Sequence, residues 1–128
     1  MMRELGCPSH FVTFSSAEMH WRETQVDIER RKYLSCFPNK DASHINTESD
    51  SVKNLSASAR RINTYVHPYE VVCSFLHRIR GIIKLINAGA LGNSNGHAIE
   101  LEYQMRLALH AHGMVWIKEF VALLELIQ

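Results

Sequence analysis

At 128 residues with 46% hydrophobic content, the chain is long enough to bury one core and too short for two domains. A formal net charge of +1 leaves no bulk basic footprint, so any DNA binding must rest on local patches. Cys7, Cys36 and Cys73 are odd in number without CxxC spacing, no stretch approaches the roughly 18 apolar residues that span a bilayer, and MMRELGCPSH lacks a signal-type apolar run.

A soluble intracellular protein, nuclear or cytoplasmic and not secreted, is the resulting expectation. Asn54-Leu55-Ser56 fits the glycosylation pattern but has no secretory context. Along the chain, Gly6 and Pro8 punctuate the approach to HFVTFS, His10 to Ser15, whose β-branched and aromatic content predicts a buried strand. Cys7 and His10 have ligating chemistry but no second pair to complete a zinc site, so a small core residue and a strand-end histidine are expected. Glu18, His20 and Trp21 follow and read, by themselves, as a loop histidine beside a packed tryptophan.

From Glu23 to Lys32 the chain is strongly charged, and Val26, Tyr33 and Leu34 give only a thin apolar stripe. Arg30, Arg31 and Lys32 read as a solvated face in preference to a phosphate contact or nuclear signal. Residues 36–60, rich in Ser, Asn and Asp, predict a loop or partly disordered insertion. Tyr65 to Ala88 is the best helix: Pro68 suits its first turn and Gly89 the position after its last. Val72, Phe75, Leu76, Ile79, Ile82, Ile83 and Ile86 recur at three- and four-residue steps, a stripe broad enough to cover a sheet, while His77, Arg78, Arg80 and Lys84 suit a solvated surface. ALGNSNGH, residues 90–97, marks a turn.

Ile99 to Ile117, IELEYQMRLALHAHGMVWI, is the stretch around which the rest is organised. Two alternating runs lie back to back, the signature of half-buried strands. Ile99, Leu101, Tyr103 and Met105 share a face in the first, and Leu109, Ala111, Val115 and Ile117 in the second; His110 and His112 point the other way. A reversal near Leu107 would set Gln104 opposite His110 and Glu102 opposite His112, so that two imidazoles and a carboxylate converge on one open face. Such a group suits a divalent cation, although two histidines at i,i+2 on a strand are more often only solvated. At the end, Glu119 to Gln128 carries Val121, Leu124 and Ile127 at helical spacing, either packing on the sheet or foreign to the domain.

His110-Ala111-His112 is a His-hydrophobic-His triplet, and EYQMR followed by LHAHGMVWIK resembles the second motif of the HUH endonuclease domain in Helitron-type rolling-circle transposases. LGCPSHFVTFSSAEMHW, Leu5 to Trp21, is similar to the opening motif of the Helitron helicase-like N-terminal domain. Motif order agrees, and the resemblance covers most of the chain, residues 25 to 60 matching poorly. It implies an α+β fold: an antiparallel sheet with the His strand central, helices on one face, and an HUH/RRM-like plan. It also implies Mg or Mn held by His110 and His112, with Glu102 or Gln104 completing the coordination, single-stranded DNA as partner, and His20 as a DNA contact.

The activity implied is metal-dependent DNA nicking and strand transfer, in which a tyrosine attacks the scissile phosphate and leaves a 5′-phosphotyrosine and a free 3′-hydroxyl. Two departures stand out. Leu107, Ala108 and Leu109 replace the family's Gly-Ser-Pro turn. Tyr33, Tyr65, Tyr69 and Tyr103 all precede the triplet and match no tyrosine motif, so no catalytic residue is assigned. GxxxxGK[ST] is absent as well, so the helicase and tyrosine regions would belong to a longer chain. A truncated domain, inactive alone, is the expectation. The alternative is a non-catalytic remnant or small DNA- or protein-binding module; a zinc regulator built from the eight His and three Cys lacks the spacing.

Overall fold

A computed structural model describes residues 5–17, 20–103 and 109–118. The chain divides into two compact units, Met1–Ser16 with His77–Gln128, and Ala17–Leu76.

The first unit is built on three antiparallel strands: β1 (His10–Ser15), β2 (Ser94–Tyr103) and β3 (Leu109–Ile117). Their order is β1-β3-β2, so the histidine strand is central, as anticipated. Alternation dictates how β3 sits. Leu109, Ala111, Gly113 and Val115 are buried, whereas His110, His112 and Met114 are half-buried on the other side. The second half of helix α4 (Pro68–Asn87) covers the buried side, where Ile82 and Ile86 pack with Val12, Val115 and Ile117. Each such aliphatic side chain, when fully buried, contributes roughly 1.5–3 kcal/mol. Pro68 opens α4 and Gly89, with φ +88°, turns the chain after it, both at their expected places.

Three expectations are corrected in this unit. β1 is an edge strand and not a buried one: its outward residues Phe11, Thr13 and Ser15 are exposed. Cys7 is exposed, not a core residue. The β2–β3 pairing is displaced by two residues, setting Glu102 opposite His110 and Glu100 opposite His112. An even displacement keeps every side chain on its expected face, which is why alternation alone could not detect it. Leu101 and Tyr103 do share the face of Leu109 and Ala111 by register, yet they are 45% and 62% exposed, because β2 is the other edge of the sheet.

The second unit is helical: α1 (Arg22–Cys36), α2 (Asp50–Lys53), α3 (Ala57–Val66) and the first half of α4. The long helix expected from Tyr65 begins only at Pro68; Tyr65 and Val66 end α3, because Pro68 disfavours helical geometry at His67, whose φ is −119° and ψ 59°. Ser56 caps α3 by accepting a bond from the Ala59 N–H at 3.1 Å. Residues 36–60 are more than a loop. They contain α2 and the start of α3, and Ile45 and Val52 pack with Val26 and Tyr33. Their polar residues close turns: Asp41 accepts from the Ser43 N–H and hydroxyl, and Asn46 Oδ1 from the Glu48 N–H.

The thin apolar stripe of α1 is compensated by polar packing. Thr24 and Gln25 are buried; the Thr24 hydroxyl is 2.7 Å from that of Ser74, and Gln25 Oε1 accepts from Asn63 Nδ2 at 3.0 Å. Much of the charged run is engaged too, with Arg30 Nε donating to the Ile45 carbonyl at 2.8 Å and Lys32 Nζ to Glu29 at 2.8 Å and Asn63 at 2.6 Å.

Candidate functional site

Strand pairing assembles a polar face from all three strands. β3 contributes His110, His112 and Met114; β1 sets Ser15, Thr13 and Phe11 beside them in that order, and β2 sets Glu102, Glu100 and Ala98. At one end this face is closed. Trp116, of the same parity as the histidines, is fully buried, and its Nε1–H donates to the Gly6 carbonyl at 3.0 Å. Gly6 has φ +71°, a conformation that suits glycine.

His112 is held from both sides. Its Nδ1 lies 3.2 Å from the Thr13 hydroxyl, and its Nε2 lies 3.1 Å from Glu102 Oε2. The second contact is diagonal, since Glu102 is directly opposite His110. A hydroxyl can donate or accept, so Thr13 accommodates either tautomer of the ring. His110 and His112 stand with rings nearly parallel, 16° apart and 6.4 Å between centroids, as i,i+2 side chains on a strand should.

The donor set has the chemistry of a cation site, and the spacing of two donors fits one. An octahedral ion with ligands at about 2.1 Å puts neighbouring donors about 3 Å apart, close to the His112–Glu102 separation. Among the described residues, no three His, Cys, Asp or Glu side chains converge as a ready-made metal group. Two donors would leave the remaining positions to water and substrate oxygens, the way Mg²⁺ is commonly bound. Gln104 lies outside the described residues, as do Glu18, Met105, the Leu107–Ala108 turn and the run 119–128. His20 belongs to the helical unit, where it is exposed and its backbone N–H donates to the Ala17 carbonyl at 2.8 Å. Trp21 beside it stacks on Phe75 at 6.4 Å, in keeping with a loop histidine next to a packed tryptophan.

Alternation in the sequence puts Glu100 on the face of Glu102, but nothing in it singles out Thr13 and Phe11. HFVTFS does alternate, which groups Phe11, Thr13 and Ser15, but only the pairing of β1 with β3 brings that group beside the histidines.

The Helitron helicase-like domain found at the N-terminus of its proteins matches residues 1–115, which span β1, helices α1 to α4, β2, and β3 through both histidines. The chain belongs to this Helitron family. No curated relative and no solved structure matches it. The observed α+β architecture, with three antiparallel strands in one sheet and four helices among the described residues, agrees with the fold expected of a Helitron-type domain. No described helix is long and apolar enough to cross a membrane.

Proposed function

We propose that this Helitron-type transposon protein binds Mg²⁺ or Mn²⁺ on its histidine strand and presents the ion to single-stranded DNA, as the nicking step of rolling-circle transposition requires. The 3.1 Å approach of His112 Nε2 to Glu102 Oε2 on an open sheet face carries this reading, in a chain whose family membership is established. His112 and Glu102 would hold the ion, with His110 beside them and Gln104 as a further donor. The ion supplies Lewis-acid polarisation of a phosphate oxygen. Thr13, accepting from Nδ1–H, would keep Nε2 unprotonated and aimed at the ion.

The nucleophile is assigned to no residue of this chain. Tyr103, the only tyrosine in the sheet unit, pairs with Leu109 and so has the parity of the buried face of β3, opposite to that of the histidines. That placement favours, as second reading, a module that binds DNA or protein without cleaving it. The two readings part on the metal: the first requires Mn²⁺ binding that is lost in His112→Ala, whereas the second leaves stability the same with and without the ion and shows self-association.

Mn²⁺ titration by calorimetry, on the parent and on His112→Ala, followed by addition of single-stranded DNA, tests the proposal. Heat in the parent that disappears in the variant is the expected result. No heat in the parent, or equal heat in both proteins, would overturn it.

A further inference from the structure

The metal reading leaves Phe11 without a role. Phe11 is 71% exposed, on the polar face of the sheet, directly across from Met114. Its ring is nearly parallel to that of His112, 20° apart with centroids 6.1 Å distant, and His110 continues the series on the far side of the pair at 6.4 Å. Because Phe11 and Thr13 are i,i+2 on one strand, the residue that contacts His112 Nδ1 and the exposed ring are fixed on the same side of the backbone.

Among the described residues, the charge on this face is one-sided. β2 contributes the carboxylates Glu100 and Glu102, whereas β1 contributes Phe11, Thr13 and Ser15, with no acid among them. A phosphate is repelled at the β2 edge unless a cation lies between, and a neutral flat ring meets no such penalty at the β1 edge. A polyanion that carries apolar planar groups matches both halves: its phosphate at the ion, its base on the phenyl ring. Single-stranded nucleic acid has that composition, and its bases stack on exposed aromatic rings irrespective of sequence.

Building on the reading of the site as a cation-dependent DNA site, we propose that Phe11 is the stacking platform for the nucleobase adjacent to the phosphate held at His112. The base lies on the Phe11 ring and leans on Met114. Phe11 thereby sets which nucleotide occupies the ion site, while His112 and Glu102 handle the phosphate.

Fluorescence anisotropy with a labelled oligothymidylate in Mn²⁺, on the parent, Phe11→Ala, Phe11→Leu and Phe11→Trp, tests this, together with oligonucleotides made abasic at one position at a time. Phe11→Ala and Phe11→Leu should weaken binding by about 5- to 150-fold, and Phe11→Trp should preserve it. One abasic position should weaken the parent to a similar degree and leave the Ala and Leu variants unaffected, a coupling that loss of fold cannot imitate. Calorimetric Mn²⁺ binding should be the same in all four proteins. Equal DNA affinity in the parent and Phe11→Leu would overturn the proposal, as would an abasic penalty identical in both. A variant that alters only the sedimentation of the chain would mark Phe11 as a protein contact and overturn it as well. Absence of both Mn²⁺ heat and DNA binding in the parent would instead sink the cation-site reading on which the proposal rests.

Discussion

Gly113→Ala and Gly81→Ala make the same chemical change and should have opposite effects. Gly113 lies in the middle of β3, flanked by β1 and β2. A Cβ there would stand 2.9 Å from Val12 Cγ2, 3.3 Å from Ile99 Cγ1 and 3.6 Å from the Ala98 carbonyl oxygen. Non-bonded carbons are comfortable at about 3.5–4.0 Å, so the methyl lacks roughly 0.6 Å on one side and 0.2 Å on the other. It cannot move away from Val12 without closing on Ile99, and Val12 is stiff at χ1 and packed against the Ile82, Ile86, Val115 and Ile117 cluster. Overpacking of this kind costs about 1–3 kcal/mol, offset by about 0.5–1 kcal/mol for removing a glycine from a strand. A net loss of about 0.5–2 kcal/mol follows.

At Gly81, within α4, a Cβ meets nothing within 4 Å, and alanine should gain about 0.5–1 kcal/mol through helix propensity. Urea unfolding followed by tryptophan fluorescence should therefore place the two midpoints on opposite sides of the parent's, separated by about 1–3 kcal/mol. A Gly113→Ala protein as stable as the parent would refute the spacing of β1, β3 and β2 around this position, and with it the register that assembles the candidate site.

Thr13→Val keeps the shape of the side chain and removes the hydroxyl 3.2 Å from His112 Nδ1; it should weaken Mn²⁺ binding by about 10- to 100-fold by calorimetry, with Thr13→Ser restoring it, and unchanged affinity in Thr13→Val would deny the residue its positioning role. Asn63→Ala withdraws the amide that donates to Gln25 and Glu29 and accepts from Lys32, and should cost about 1–3 kcal/mol in urea unfolding, a smaller change meaning that water replaces it. The Ser43 hydroxyl and backbone N–H hold the Asp41 carboxyl below the usual carboxylate range. Its contribution is therefore present above that range and lost as pH falls through the lowered value. Ser43→Ala should raise the Asp41 pKa in an NMR titration and shrink that acid-side loss; an unmoved titration would show the hydroxyl to be irrelevant.

Much of the sheet's design was legible from one period. Alternation in LHAHGMVWI separated Leu109, Ala111 and Val115 from His110 and His112, Pro68 and Gly89 marked the ends of α4, and two motifs named the Helitron family that matches residues 1–115. These are local signals, because side-chain direction on a strand and the backbone preferences of Pro and Gly are set within a few residues. The relation between strands is not local. A shift of two residues leaves alternation intact, so only the folded sheet decides that Glu102 faces His110 and reaches His112 diagonally. Likewise HFVTFS reads the same whether central or at an edge; being at the edge is what exposes Phe11 and brings Thr13 to His112. In the helical unit, Thr24, Gln25 and Asn63 are buried against a polar prior because each finds a partner far away in sequence, and such partners are supplied by the tertiary fold alone.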